Sequence, residues 1–382
     1  MGIPTLKKFL KDKYPHVFKN VSMFKFRGSR IAIDAGIAYN YWTIVRDRVA
    51  NKITDPSKLI AIEEIRNGWL NLFWKFLSRF LRLGITPIMV FDGPPPKEKI
   101  KVNEDRYKKR TAAWDDIISF KNKMENEDIL LRCTNEHLNI MKKLYKKWHY
   151  ISPDDYAVLK KFCIGIGIPI LQAINEAEEL CSFLCKEGIV AAVYSDDVDN
   201  LAHLCPCWIY EKSVEKTYVR EIDENVEFFN LIYLKDVLNS LEMSEDQFVD
   251  FCIICECDYN TNIPGKGPVT SFKLIKQYGT IDELPIEDIS CLNHQICRKL
   301  FHTRTLKELC SEDKPNYDVD KLCYETYAET YLINCDMLYV LAEIQMIYPT
   351  LPEKIVNYTE STCDVSNEIL INLLKLKLTH CQ

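Results

Sequence analysis

Several short apolar runs in this chain end in acid. RIAID at 30–34 closes on Asp34, and TPIMVFD at 86–92 closes on Asp92. GIPIL at 167–171 leads into INEAEELC, which carries Glu176 and Glu178. IVAAVY at 189–194 runs into SDDVDNL, with Asp196, Asp197 and Asp199. Asp258 follows the apolar stretch FVDFCIICEC. Taken singly, each acid serves as a helix cap or a solvated turn residue. Gathered at the ends of buried strands, they repel one another unless solvent or a cation takes them. The candidate ligands are all carboxylate oxygens with no histidine, a set that suits Mg²⁺ or Mn²⁺ and not zinc. Seven charges (Asp34, Asp92, Glu176, Glu178, Asp197, Asp199 and Asp258) exceed what one divalent ion neutralises. Two such ions about 3.5–4 Å apart serve the hydrolysis of phosphate esters.

The elements that would position these acids follow from the same pattern. Helical stretches at 57–83, 154–164 and 176–187 alternate with the apolar runs. That alternation predicts an α/β fold with a mainly parallel, twisted sheet flanked by helices. In such a sheet the carboxyl ends of the strands line one edge and build the site there. The chain has 382 residues, 47% hydrophobic and 27% charged, enough for a sizeable core. Its net charge of −6 counts weakly against a generic nucleic-acid binder. Yet KEKIKVNEDRYKKR at 97–110 holds Lys97, Lys99, Lys101, Arg106, Lys108, Lys109 and Arg110 against three acids, and KKLYKK at 142–147 adds four lysines. By themselves such runs read as solvated helix faces.

The sixteen cysteines form no disulfide framework. No secretory signal opens the chain, and no apolar run of about 20 residues could span a bilayer. A reducing, intracellular setting with free thiols is expected. CPC at 205–207 and CIICEC at 252–257 lack partner Cys/His pairs at finger-like spacing, so buried structural thiols are expected. Met1-Gly2 is not followed by Ser or Thr at position 6, where Leu6 stands, so an N-myristoyl anchor is not expected.

At these motifs the chain resembles the flap endonuclease / XPG-type family of structure-specific 5′ nucleases. The matching stretches, in the family's order, are MGIPTLKKFL, IAIDAG, VFDGPPPKEK, INEAEELC, YSDDVDNL and CDYNTNIPGKGP. The resemblance implies a PIN-like nuclease core that hydrolyses DNA in replication or repair and leaves a 5′-phosphate. It assigns Asp34, Asp92, Glu176 and Glu178 to one Mg²⁺ and Asp197, Asp199 and Asp258 to a second, with Glu178 between them and Mn²⁺ able to substitute. Lys99 and Arg106 match the family's two active-site cations. A spacing of seven places them on one helical face, where they would stabilise charge on the scissile phosphate. NIPGKGPVTSFKLIKQYGT at 262–280 matches the helix–two-turn–helix, which in relatives also binds K⁺. Gly265, Gly267 and the helix start near Pro268 would offer N–H groups to a phosphate. Lys266, Lys273 and Lys276 would add contacts indifferent to sequence. Gly2, in the matched N-terminus, is a further DNA-binding candidate.

The expected organisation is a nuclease region at 1–92, a helical arch or cap at 93–153, a second nuclease region with the helix–two-turn–helix at 154–285, and a helical extension at 286–382. The chain also departs from the family. The arch region is long, the base-stacking tyrosine would fall near Asn40 with only Tyr39 and Tyr41 beside it, and NEILINLLKLKLTHCQ at 367–382 carries no clamp-binding motif. A monomer acting on flap, nick or junction DNA is expected, in the nucleus or at another site of DNA replication. Two other readings stand beside it. One is an XRN-type 5′→3′ exoribonuclease, disfavoured by the GKGP turn. The other is a catalytically silent DNA-binding scaffold, disfavoured by the intact set of acids.

Overall fold

The computed structural model describes residues 3–302 apart from 129–132, 149, 174, 221–223, 262 and 286–288. Its sheet has seven strands: β1 (Phe18–Ser22), β2 (Arg30–Asp34), β3 (Thr86–Phe91), β4 (Ile170–Gln172), β5 (Ala192–Tyr194), β6 (Cys207–Val219) and β7 (Glu224–Tyr233), in the order β1-β7-β6-β5-β2-β3-β4. The run β6-β5-β2-β3-β4 is parallel, while β7 pairs antiparallel with both β6 and β1. β2 lies at the centre of the parallel part, and Ile31, Ala32, Ile33 and Asp34 are all buried. A continuous apolar strand is what a position covered on both faces demands. Asp34 is level with Val90, and Ile33 with Tyr194, so β2, β3 and β5 end side by side.

The sheet is larger than the sequence pattern indicated. β1, β6 and β7 carry no strict alternation of apolar and polar residues. β6 and β7 pair with register shifts between Ile209 and Glu211 and between Lys212 and Lys216, and each shift resets the two-residue period. β5 is only three residues long, because 189–191 form the approach to it and Ala191 N–H donates to Arg30 O at 2.8 Å. The helix expected from 57 begins at Ile62. Asp55 captures Ser57 N–H at 3.0 Å and Ser57 Oγ at 2.7 Å, a local turn that competes with helix.

The helices are α1 (Pro4–Lys13), α2 (Ala38–Asn51), α3 (Ile62–Arg82), α4 (Ile100–Glu125), α5 (Asn135–Lys147), α6 (Pro153–Gly165), α7 (Ala177–Lys186), α8 (Asp199–Ala202), α9 (Leu234–Leu241), α10 (Glu245–Ile254), α11 (Pro268–Tyr278) and α12 (His294–Phe301). α3 buries Ile65, Trp69, Phe73, Phe76 and Phe80 at helical spacing, Trp69 and Phe73 against Trp42 and Tyr41 of α2 and Phe76 and Phe80 against Tyr194 and Phe229 of the sheet. α4 and α5 pack on each other through Ile117, Met124, Met141 and Tyr145. The start of α6 is fixed by a capping box between Ser152 and Asp155, and Arg66 of α3 pairs with Asp155 at 2.8 Å. α1 crosses to the far end of the chain. Phe9 meets the rings of Phe251 and Phe272 at 5.5 and 5.6 Å, and Thr5 Oγ donates to Cys255 O at 3.0 Å. Buried Asp250 holds Arg298 of α12 by two bonds of 2.6 Å and accepts Ile281 N–H at 2.9 Å.

Cys205, Cys207, Cys252, Cys255 and Cys257 are buried free thiols. Among the described residues no helix is long and apolar enough to cross a membrane. Gly2, the stretch 367–382 and most of the extension from 286 lie outside the described residues.

Candidate active site

Asp34 ends the central strand and is held by two donors. Gly36 N–H reaches Oδ1 and Ser195 Oγ–H reaches Oδ2, both at 2.8 Å. A Cβ at Gly36 would stand 3.1 Å from Asp34 Oδ1, which accounts for the glycine in IAIDAG. Asp92 follows β3 and accepts Ala177 N–H, at the start of α7, at 2.8 Å. Such a first-turn amide has no partner within its helix and suits an anion. Glu176 is the N-cap of α7, and Glu178 lies in its first turn. After β5, Ser195 Oγ accepts Asp197 N–H at 3.1 Å, and Asp197 Oδ1 accepts Asp199 N–H at 3.1 Å.

These groups raise one another's proton affinity. Burial, then the charge of Asp92, pushes the Asp34 carboxyl up to about 8. Burial is the first cause for Glu178 as well, followed by Asp34, Asp92, Asp197 and Glu176, and its carboxyl lies well above the usual range. Asp199 is likewise pushed well above it by burial, then by Asp197 and Asp258. Asp92 and Asp197 are raised too, burial again leading. Two buried oxygens, Glu178 Oε2 and Asp199 Oδ1, have no hydrogen-bond partner among the described residues. A buried carboxylate oxygen without a donor is costly, and either a proton or a hard cation relieves it. The donor set therefore fits a divalent cation.

Cations already lie at one side of the cluster. Lys99 closes the short 3₁₀ turn Lys97–Lys99, and its Nζ contacts Glu176 Oε1 and lies 3.4 Å from Asp258 Oδ2. Arg106 Nη2 reaches both oxygens of Asp258 at 3.1 and 2.9 Å. Burial opposes the charge on Lys99, but Glu176, Glu178 and Asp258 outweigh it and hold its pKa above the ordinary lysine value. As they stand, no three His, Cys, Asp or Glu side chains among the described residues are gathered closely enough to hold an ion. Lys99 and Arg106 act as counter-charges to Glu176 and Asp258 in this arrangement.

Two residues of the cluster escape the sequence pattern. Ser195 ties Asp34 to the Asp197 backbone, and Tyr259 O–H donates to Glu176 Oε2. Each adjoins an acid of a recognised motif, and that adjacency is the one signal for it. Asn40 donates to Asp196 at 2.8 Å. Tyr41 packs among Phe73 and Phe76 in the core, so it does not stand in for a stacking tyrosine, and Tyr39 is half-buried.

The candidate DNA-binding turn follows closely after Asp258. Gly265 adopts a φ of +74°, and Gly267 caps α11. Both are exposed, and a Cβ at either would meet no atom within 4 Å. The fold itself therefore leaves room at both glycines. Lys273 is exposed and Lys266 half-buried. Lys276 differs from expectation: its Nζ pairs with the Glu242 carboxylate at 3.0 Å and with Glu242 O at 3.1 Å, tying α11 to the end of α9.

The raised carboxyls carry a pH signature. With chelator present, native Asp34 keeps a proton that the unfolded chain releases near pH 4, so stability falls as pH rises from about 4 to about 8. Asp34→Asn keeps the shape and removes the charge. In EDTA at pH 8 the variant melts above wild type, and the gap narrows as pH falls and closes near about pH 4. A difference of a few kcal/mol corresponds to roughly 5–10 °C for a domain of this size. Equal melting temperatures at pH 8 would show that Asp34 is not strained by its neighbours.

Comparison with known proteins agrees with this geometry. Residues 1–113 match the XPG N-terminal domain and residues 167–258 the XPG I-region. Flap endonuclease 1 of Glycine max is 31% identical over 300 residues, covering 78% of this chain and 71% of that protein. Flap endonuclease 1-A of Sorghum bicolor is 30% identical over 338 residues, covering 87% and 81%. Flap endonuclease 1 of Babesia bovis is 28% identical over 326 residues, and the chain spans 44% of its length. In fold the chain is similar to the catalytic core of Rad2 in complex with DNA substrate (TM-score 0.52, 17% identity, 89% of this chain and 99% of that one). It is similar as well to flap endonuclease-1 from Methanococcus jannaschii (TM-score 0.50, 22% identity, 90% and 99%). Acids aligned at the strand ends, the two matched domains and these relatives lead to one conclusion: the chain belongs to the flap endonuclease / XPG family of generally metal-dependent, structure-specific 5′ nucleases.

Proposed function

We propose that this chain uses two Mg²⁺ ions to cut DNA at junctions between single strand and duplex, in replication or repair. The observation that carries the reading is the carboxylate cluster with its two buried, unpartnered oxygens, on Glu178 and Asp199. Asp34, Asp92, Glu176 and Glu178 would hold one ion, and Asp197, Asp199 and Asp258 the other. Bound there, the ions supply a nucleophile at neutral pH and neutralise charge developing on phosphate. Lys99 and Arg106 lie on Glu176 and Asp258. Both cations would also face the scissile phosphate, where their fixed charge would stabilise the charge developing on it. The turn at 263–267 and the start of α11 would grip the duplex backbone through N–H groups without reading bases, with K⁺ as a further occupant. A chain of this function acts as a monomer at the site of DNA replication, the nucleus or its equivalent.

The test uses end-labelled 5′-flap, bubble and four-way-junction DNA and a 5′-phosphorylated RNA strand, each in Mg²⁺ and in EDTA. Wild type is expected to cut DNA near the junction in Mg²⁺ alone, with affinity falling steeply as salt rises. Gly267→Asp puts a negative charge against the approaching phosphate. It is expected to weaken flap binding while cleavage persists at high enzyme concentration. Degradation of RNA with the flap ignored, and no effect of Gly267→Asp on either, would replace this reading by the exoribonuclease.

A further inference from the structure

The outer face of α4 carries a feature that the metal cluster does not use. Tyr107, Arg110 and Trp114 recur at i, i+3 and i+7, one helical stripe. Tyr107 is 62% exposed and Tyr150 is 37% exposed, the first being the most open large side chain of its kind among the described residues. The Arg110 guanidinium lies between them, 6.0 Å from the Tyr107 ring and 5.9 Å from the Tyr150 ring. Behind Tyr150 the stack continues inward to Trp148 at 6.3 Å and from there to Trp114 at 4.9 Å. Arg110 Nε is buried with no hydrogen-bond partner among the described residues. Burial pushes the Tyr39 hydroxyl up, while Arg46 and then Arg110 oppose it, which sets the stack beside the start of α2.

We infer that Tyr107, Arg110 and Tyr150 form a stacking platform for unpaired nucleobases of the single strand. The inference rests on the nuclease reading for its ligand. Flat rings and a guanidinium plane accept any base by its π-face, which suits a site that must not select sequence. An exposed aromatic ring beside a guanidinium presents a flat π-face that a base can cover. Lys101, Lys108 and Lys109 on the same helix are exposed and supply phosphate attraction. The platform begins one residue beyond Arg106, which bonds Asp258, so it adjoins the cleavage cluster. Tyr41 of α2 is spent in the core.

The test is binding in EDTA to 5′-flap DNA whose single strand carries either bases or abasic sugars. Tyr107 is mostly exposed, so Tyr107→Ala leaves packing intact, and Tyr107→Phe keeps the ring. Tyr107→Ala is expected to weaken the base-bearing flap by about 5- to 150-fold, the range for one stacked base. Tyr107→Phe should bind like wild type, and on the abasic flap all three proteins should bind alike. Equal loss on both flaps, loss with Phe as large as with Ala, or no loss anywhere overturns the platform. Cleavage by wild type in Mg²⁺ separates the two readings. A protein that cuts flaps but shows no base-dependent effect loses the platform alone. One that cuts nothing yet shows the effect loses the nuclease reading and keeps the platform.

Discussion

Glu178→Gln and Asp199→Asn each lower the single-turnover cleavage rate by about 10³-fold, while DNA affinity in EDTA holds or rises slightly. Asp199 is buried and Glu178 half-buried, and each has one buried oxygen with no donor among the described residues. Removing the charge at constant shape leaves the fold intact and relieves repulsion from Asp34 and Asp92 on one side and from Asp197 and Asp258 on the other. What is lost is the anionic oxygen that a cation needs. Several kcal/mol of transition-state stabilisation come from such an ion, and 1.36 kcal/mol is a factor of ten, which gives about 10³. Affinity does not follow the rate, because one fewer negative charge lies near the phosphates. Rapid-quench cleavage and anisotropy in chelator read the two quantities separately. Wild-type rates in either variant, or equal wild-type activity in EDTA and Mg²⁺, would remove the metal mechanism.

Lys99→Ala lowers the same rate by about 10²–10³-fold, the loss typical of one preorganised donor to developing charge. Its ammonium is mostly enclosed, with side-chain exposure of 11%, and it touches Glu176 and Asp258. The surrounding acids keep it protonated at any working pH, so its contribution is a fixed positive charge and not a proton in transit. Arg106 is more open, at 34%, and Arg106→Ala should cost less because solvent screens it more. Flap affinity should fall only a few-fold in either variant. Should affinity collapse while the bound-state rate holds, Lys99 is a phosphate anchor and takes no part in the chemical step.

The strand ends were legible because each combines an apolar run with an acid at its carboxyl end, and the parallel order then forces the acids onto one edge. Asp34, Asp92, Glu178 and Asp197 come together for that reason. Other parts had no local signature. The Glu176–Tyr259 bond joins residues 83 positions apart, and no periodicity encodes it. β6 was hidden by its register shifts, and the late start of α3 by a side-chain turn at Asp55 that overrides helical pattern. Lys276 reads as a free cation in sequence and is held by Glu242, which is 34 residues away. The stack around Arg110 was legible only as charge, because Tyr150 reaches it from beyond the end of α5.

The docking of α1 has a consequence for synthesis. Thr5 bonds the carbonyl of Cys255, and 250 positions separate them. Phe9 rests on rings from Phe251 and Phe272. At about 5–20 residues per second, α1 waits on the order of 10–50 s after its own synthesis for its seat to be made. Asp258 is delivered by the same late segment. A nascent chain therefore carries an unplaced amphipathic helix and an incomplete set of acids until the segment at 251–258 and α11 are out. The order of translation makes the apolar face of α1 the stretch that most needs shielding during that interval.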